Sequence, residues 1–427
     1  MRVPNLRWWI AGLLLLSTVI NYIDRQTLSV LSPVITAELG ISPVEYSNIL
    51  TAFLASYTVM YVGSGLLVDR WGTRAALSVF MAWWSLANMA HALARGPWSL
   101  GLLRFLLGMG ESGNFMAAFK AVSEWYPPKE RALVHGLIQG GAAIGAIIAP
   151  PAITWLHAAF GWQTAFLATG ALGFAWLALW LLLYHPPERH PWITEAERAV
   201  VCAEPPAPRP GKAQWLATLK HPQTLGLLLA RFLSDPVWWF YLFWLPKYLV
   251  DQRGFTMAEM GMLAWMPYLA ADLGAVFGGW CSGRLVASGS APLAARLRVM
   301  LPCAALMPLS LWVNHAQSRL LTLGLICTVT FAHMAWKTNQ ATLTNDVFPR
   351  QLVGSVSGIL AFGTGLGGTL FTWLTGRLIQ NFGYESVFLL MSVLHPLSFL
   401  LMRRLVRCPI PAADIDGPGA ALKTTVH

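Results

Sequence analysis

The chain has 427 residues, of which 56% are hydrophobic and only 11% charged. A soluble domain carries about 25% charged residues, so this composition excludes an ordinary soluble enzyme and indicates an integral membrane protein. The net charge of +10 would suit a nucleic-acid partner, but no basic stretch is interleaved with aromatics, and the basic residues collect in loops as membrane topology requires.

Apolar runs of about 20 residues are long enough to cross a bilayer as helices, and the short alternating segments of a spanning barrel are missing. In chain order the predicted spans are 8–30, 46–68, 75–95, 98–121, 131–155, 164–184, 223–249, 259–286, 295–314, 319–345, 350–379 and 384–407. The N-terminus is basic and then apolar like a signal peptide. It shows no small-residue cleavage site before Asp24, so it reads as a retained first span. Even-numbered loops hold Arg70, Arg74, Lys129, Arg131, Arg284, Arg296, Arg298 and Arg350, whereas odd loops hold fewer cations, among them Lys247. That bias predicts a multi-pass protein with both termini in the cytoplasm. Residues 185–222, rich in Pro and charge, read as a cytoplasmic linker with a short helix started by Thr194. The expected domains are a six-helix bundle over 1–184, the linker 185–222, a second bundle over 223–407 and a flexible cytoplasmic tail over 408–427. The five cysteines, Cys202, Cys281, Cys303, Cys327 and Cys408, match no metal site or disulfide framework. No metal or cofactor is expected.

The two bundles read as repeats. "EWYPPKE" at 124–130 resembles "DVFPRQL" at 346–352, and "FGWQTAFL" at 160–167 resembles "FGYESVFL" at 382–389. In both cases the matching residues stand 222 positions apart. At the same separation Gly136, Gly141 and Gly145 fall on Gly358, Gly363 and Gly367. An even number of spans per unit makes the repeats parallel, the arrangement of rocking transporters.

"GLLVDRWGTR" at 65–74, "RFLLGMGE" at 104–111 and "GGAAIGAIIAPP" at 140–151 resemble the loop, fourth-span and fifth-span motifs of the major facilitator superfamily. "NYIDR" at 21–25, taken with Arg104 and Glu111, is similar to its anion:cation symporter family. "RFLSDPVWWFYLFWLPKYL" at 231–249 and "HMAWKTNQATLTNDVFPR" at 333–350 resemble the hexuronate branch. The resemblance implies an all-α membrane protein of twelve transmembrane helices in two pseudo-symmetric bundles. It also implies gating by Asp69, Arg70 and Arg74 in the loop after span two. The loop between spans eight and nine keeps Gly283 and Arg284 but lacks a copy of the acidic gate motif.

Asn21, Asp24, Arg25 and Leu28 recur at helical spacing, which puts the polar groups of span one on one face. Charges at the centre of a span are costly and mark substrate or ion pathways. A guanidinium binds carboxylates bidentately, so Arg25 is the expected carboxylate site and Asp24 a proton site or a partner of Arg25. Arg104, Gly108, Glu111 and Asn114 share a face of span four. Glu111 matches the family's coupling acid, and Arg104 is expected to be a structural partner of an acid such as Asp24. Tyr57, with Tyr61 one turn on, and Gln139 are candidate sugar contacts. Arg231 and Asp235 suggest an internal pair before the Pro236 kink. Glu111 falls on His333 in the repeat, and span ten carries the polar stripe His333, Trp336, Lys337 and Gln340 with Asn339. This stripe is the expected sugar-hydroxyl side; Lys337 has no counterpart in the family pattern.

These residues point to a proton-coupled symporter that imports a sugar acid, foremost a hexuronate such as glucuronate or galacturonate, across a bacterial inner membrane by rocker-switch alternating access. The partners are the anion, protons and lipid; a monomer suffices. A symporter for an aldonate, glucarate or another organic anion is the alternative on the same scaffold, and a transporter-like membrane sensor the alternative class. No nucleophile–base pairing suggests an enzyme.

Overall fold

The structure, a computed structural model, describes residues 2–201, 221–348 and 353–408. The central part of the expected linker with Cys202, the loop that holds Arg350, and nearly all of the expected tail lie outside the described residues.

The described chain is helical throughout. The first six long helices are α1 Leu6–Glu38, α2 Pro43–Trp71, α3 Thr73–Ala90, α4 Pro97–Trp125, α5 Pro128–Phe160 and α6 Trp162–Leu183. A short α7, Glu195–Val201, follows in the linker, and the Thr194 hydroxyl caps it by accepting from Glu197 N at 3.2 Å. The second set is α8 Pro222–Asp251, α9 Met257–Leu263 with α10 Met266–Ala287, α11 Pro292–Leu306 with α12 Ser310–His315, α13 Arg319–Val347 and α14 Val353–Leu405. These follow the twelve expected spans, and α14 contains the last two, broken at Gly383.

Among the described residues, seven helical stretches are each long and apolar enough to cross a membrane, and α2 adds an eighth as a pair bent by 48°. The helices α4 and α8 fall short because they carry charges inside: Arg104 and Glu111 in one, Arg231, Asp235 and Lys247 in the other. Lys247 therefore belongs to a helix and not to a loop. It is buried against Thr36, its Nζ donating to the hydroxyl at 2.8 Å and pairing with Asp251 at 2.7 Å.

Helix boundaries follow local chemistry. Ser42 and Glu45 form a reciprocal capping box ahead of α2, with Pro43 at its first position. Gly161 and Gly383, which are repeat-related, have φ of +86° and +75°. Both stand in an F-G-aromatic turn that a β-carbon would strain.

The chain divides into two compact units. The first is Met1–Ala207 with Phe240–Leu269 and Thr372–Asn381; the second is Pro208–Trp239 with Ala270–Phe371 and Phe382–His427. Close packing inside each uses repeat-related glycines. A β-carbon on Gly141 or Gly145 would lie 2.6 Å from the carbonyls of Leu15 and Val19 in α1. One on Gly363 would meet the Leu228 side chain at 2.5 Å, and one on Gly367 the Phe232 carbonyl at 2.3 Å, both in α8. Glycine lets these backbones touch, as small residues do between membrane helices.

Candidate functional site

Midway along α1, Arg25 is 1% exposed and Glu111 of α4 is fully buried. Arg25 Nε donates to Oε2 of Glu111 at 2.9 Å, and Nη2, which donates to Asn21 Oδ1 at 3.3 Å, forms an ion pair with the same Oε2 at 2.7 Å. The other oxygen, Oε1, has no hydrogen-bond partner among the described residues. Three rings surround the guanidinium: Tyr22, Phe53 and Tyr57, with centroids 4.8, 5.3 and 5.0 Å away. Each such contact contributes about 0.5–2 kcal/mol, the larger value when desolvated. The rings therefore hold Arg25 in place independently of Glu111. A guanidinium fixed in this way can exchange one carboxylate for another without moving.

Asp24 does not share the face of Arg25. Its Oδ1 accepts from Asn88 Nδ2 of α3 at 2.7 Å, and the same amide donates to Thr169 Oγ1 of α6 at 2.8 Å. The two neighbours in sequence thus address different helices, because adjacent residues project about 100° apart on a helix.

Arg104 is fully buried but does not pair with Asp24. Its Nη1 donates to the Arg25 carbonyl at 3.3 Å, while Nε and Nη2 have no hydrogen-bond partner among the described residues. α4 lays the guanidinium along α1, against its backbone, with Glu111 and Asp24 near enough to act on its charge.

A family model for the Major Facilitator Superfamily matches residues 14–372. The chain belongs to this superfamily. It is 33% identical over 414 residues to a hexuronate transporter of Escherichia coli strain K12, with 94% of each chain covered. It is 35% identical to a galacturonate transporter of Dickeya chrysanthemi over 65% of this chain and 82% of that one. Among solved structures, a bacterial homolog of the human lysosomal transporter Spinster, in an inward-facing unoccupied conformation, matches with a TM-score of 0.79 and 17% identity. That match covers 96% of this chain and all of that one. This superfamily member is a multi-pass membrane transporter and not an enzyme.

The remaining candidates fall into distinct places in this major facilitator fold. Tyr57 lies beside Arg25, and Tyr61 stacks loosely on Tyr57 at 5.8 Å. Asn114 bonds to Ser17 and Thr18 of α1, at 2.9 and 3.2 Å, so it joins two helices. Gln139 is exposed on α5. His333 and Trp336 are fully buried: His333 Nδ1 lies 3.1 Å from His395 Nε2, the Trp238 ring stacks on His333, and Trp336 packs on His395 and Phe399. Asn339 donates to the carbonyls of Gly278 and Ala335 at 3.0 and 2.9 Å, which ties α13 to α10. Asp235 accepts from Thr364 at 2.5 Å.

At the end of α2, Asp69 lies 3.4 Å from Lys120 and Arg70 is exposed; at the start of α3, Arg74 donates to the Leu181 carbonyl, so the expected loop residues stand on helix ends. Glu124 accepts from Thr73 and Tyr184 at 2.9 and 2.8 Å. Where the second half lacks the acidic loop motif, Arg296 bonds instead to Asp346 at 3.1 Å and to Ser282 at 2.5 Å. Arg296 and Asp346 stand 222 positions after Arg74 and Glu124.

Sequence reasoning missed Asn88, Tyr22 and His395. A lone Asn inside the apolar run "WWSLANMAH" was the available signal for the first, since a buried amide needs partners. His395 gave no signal without its partner His333.

Proposed function

We propose that this protein is a proton-coupled symporter that imports a sugar acid, foremost a hexuronate, with Arg25 as the carboxylate site and Glu111 as the proton carrier. The observation that carries this reading is the buried Arg25–Glu111 pair with its one free carboxylate oxygen. A proton on Oε1 removes the charge that holds Oε2 against Arg25. The guanidinium, kept in place by its three rings, then takes the carboxylate of the substrate. Loss of the proton restores the internal pair and expels the anion. Breaking a buried pair without replacing it costs about 3–5 kcal/mol, so the two carboxylates exchange most cheaply when proton and anion enter together. Tyr57 and Tyr61 flank the sugar, and Gln139 offers an amide. Asp24, held by Asn88, is the second acid available for coupling. The halves 1–184 and 223–407 rock about this site in a bacterial inner membrane, and a monomer suffices. The hexuronate and galacturonate transporters similar to this chain support the choice of substrate.

The test is uptake of labelled glucuronate into proteoliposomes with and without an inward proton gradient. The wild type is expected to accumulate glucuronate only with the gradient, and Glu111→Gln to exchange without accumulating. Equal gradient-driven accumulation by Glu111→Gln would refute the role of Glu111. Absence of any uptake, with glucuronate or galacturonate, would refute the substrate.

A further inference from the structure

Asn21 is fully buried on α1, one turn before Arg25. Asparagine is a weak helix former, and a buried amide needs partners. Among the described residues the Asn21 side chain makes one hydrogen bond: Oδ1 accepts from Arg25 Nη2 at 3.3 Å. Its Nδ2 has no hydrogen-bond partner there. The polar residues one turn earlier are used differently. Ser17 and Thr18 bond to Asn114 at 2.9 and 3.2 Å, which ties α1 to α4. The bond of Asn21 joins no helices; it goes to the guanidinium.

That bond fixes both ends of the amide. A guanidinium only donates, so Oδ1 faces Arg25 and Nδ2 is turned the other way. Nη2 has an acceptor for each of its hydrogens: Asn21 Oδ1, and Glu111 Oε2 at 2.7 Å. The hold of Asn21 on Nη2 therefore does not depend on Glu111. It keeps the Nε–Nη2 edge turned toward the place that Glu111 Oε2 occupies. Asn21, Arg25 and Glu111 all lie in the first compact unit. The two groups bonded to this edge each keep one buried atom without a hydrogen-bond partner among the described residues: an acceptor, Glu111 Oε1, and a donor, Asn21 Nδ2. Proton coupling uses the acceptor and leaves the donor unassigned.

We propose that Asn21 is a positioning residue for Arg25 and selects acids that carry an oxygen on the carbon next to the carboxylate, with Nδ2 as the donor to that oxygen. This rests on the sugar-acid reading above, in which Arg25 takes the substrate carboxylate. A carboxylate seated on the Nε–Nη2 edge carries its neighbouring carbon one bond further out. The oxygen on that carbon is the first acceptor beyond the carboxylate itself. In a cyclic hexuronate it is the ring oxygen, and in an open-chain sugar acid it is a hydroxyl. One amide thus serves both forms. It disfavours an acid without that oxygen, because the buried N–H would stay unpaired.

The experiment is competition against labelled glucuronate uptake in proteoliposomes. The competitors are unlabelled glucuronate and its carbocyclic analogue, in which a methylene group replaces the ring oxygen. Uptake of glucuronate by the wild type tests the sugar-acid reading first; without it that reading falls, and the role of Asn21 with it. In the wild type the analogue should need about tenfold more to half-inhibit uptake, the scale of one hydrogen bond whose buried donor is left unpaired. In Asn21→Leu, of similar shape, the two half-inhibition concentrations should agree within about twofold, since only glucuronate has that bond to lose. Asn21→Gln, which keeps the amide, should restore part of the preference. An amide that served the fold alone would weaken both competitors equally and leave their ratio unchanged. If Asn21→Leu fails to transport, the same ratio is read by tryptophan quenching on the detergent-purified protein, with Asn21→Ala in its place if it fails to fold. Equal competition by the two acids in the wild type, or an unchanged ratio in Asn21→Leu, would overturn the proposal and leave the sugar-acid reading standing.

Discussion

At the scale of single residues, the site separates the tasks of two acids and two arginines that lie close in sequence. Arg25 is paired and ringed, Arg104 is laid on backbone, Glu111 has an open oxygen, and Asp24 is tied to Asn88. Arg25 meets Glu111 with Nε and Nη2 at once while Nη2 also reaches Asn21, which requires a planar guanidinium that lysine lacks. Arg25→Lys is therefore expected to raise the half-saturating glucuronate concentration by about tenfold or more, equivalent to about 1.4 kcal/mol. Saturation curves in proteoliposomes measure this. An unchanged curve would mean that the substrate carboxylate does not use Arg25. Asp24 and Arg25 were legible as candidates because charges inside an apolar run stand out. Their division of labour was not, since it depends on which neighbouring helix each side chain meets.

At the scale of elements, close helix contact and loop docking set the frame in which these residues work. Gly145 of α5 sits where a β-carbon would lie 2.6 Å from the Val19 carbonyl, whereas Gly136 on the same helix has open space. Overpacking costs about 1–3 kcal/mol. Gly145→Leu should therefore lower the thermal midpoint of the purified protein by several degrees, while Gly136→Ala should leave it unchanged. Equal midpoints would remove the argument for backbone contact. The linker shows the same economy. The start of α1 lacks a side-chain cap of its own, and Glu197 of α7 accepts from the backbone N–H groups of Leu6 and Arg7 at 3.1 and 3.0 Å. His190 orders the segment between: Trp192 N donates to Nδ1 at 3.1 Å, so Nε2 carries the proton that meets the Leu183 carbonyl at 2.8 Å. Burial, with Arg198 nearby, lowers the pKa of His190 below the ordinary histidine value. The docked linker thus favours neutral His190. That contribution is present above about pH 6.5, the ordinary value, and is lost as the pH falls, because the undocked ring protonates first. Hydrogen exchange at Trp192 should accelerate between about pH 6.5 and 5.5 beyond its intrinsic pH dependence, and His190→Gln should remove the excess. The span pattern made the helices legible, and the Pro-rich composition marked the linker. The cap supplied by Glu197 was hidden because its partners lie about 190 positions away.

At the scale of the whole molecule, the duplication visible in the sequence extends to side-chain geometry. Asn88 bonds to the Phe166 carbonyl at 3.4 Å; 222 positions later Ser310 bonds to the Phe388 carbonyl at 3.0 Å. Glycines at repeat positions approach α1 and α8 alike, at Leu15 and Val19 in one and at Leu228 and Phe232 in the other. Those contacts align α1 with α8 at a separation of 213, which places Trp238 opposite Arg25, just as His333 stands opposite Glu111. The ion pair of the first half thus answers to an aromatic stack in the second, where the Trp238 and His333 rings are 6.0 Å apart and inclined by 6°. One sequence separation could not show this, because the first helix of each half is offset by nine residues from the rest. The repeat-related position packs rings where the first half holds an ion pair. Proton coupling should accordingly belong to one half. The ratio of uptake with and without an inward proton gradient should collapse toward one in Glu111→Gln. In His333→Gln the same ratio should persist, even where substrate affinity changes. Collapse of the ratio in His333→Gln, in protein whose thermal midpoint matches the wild type, would instead make the second half a partner in coupling and give the His333–His395 contact a proton to carry.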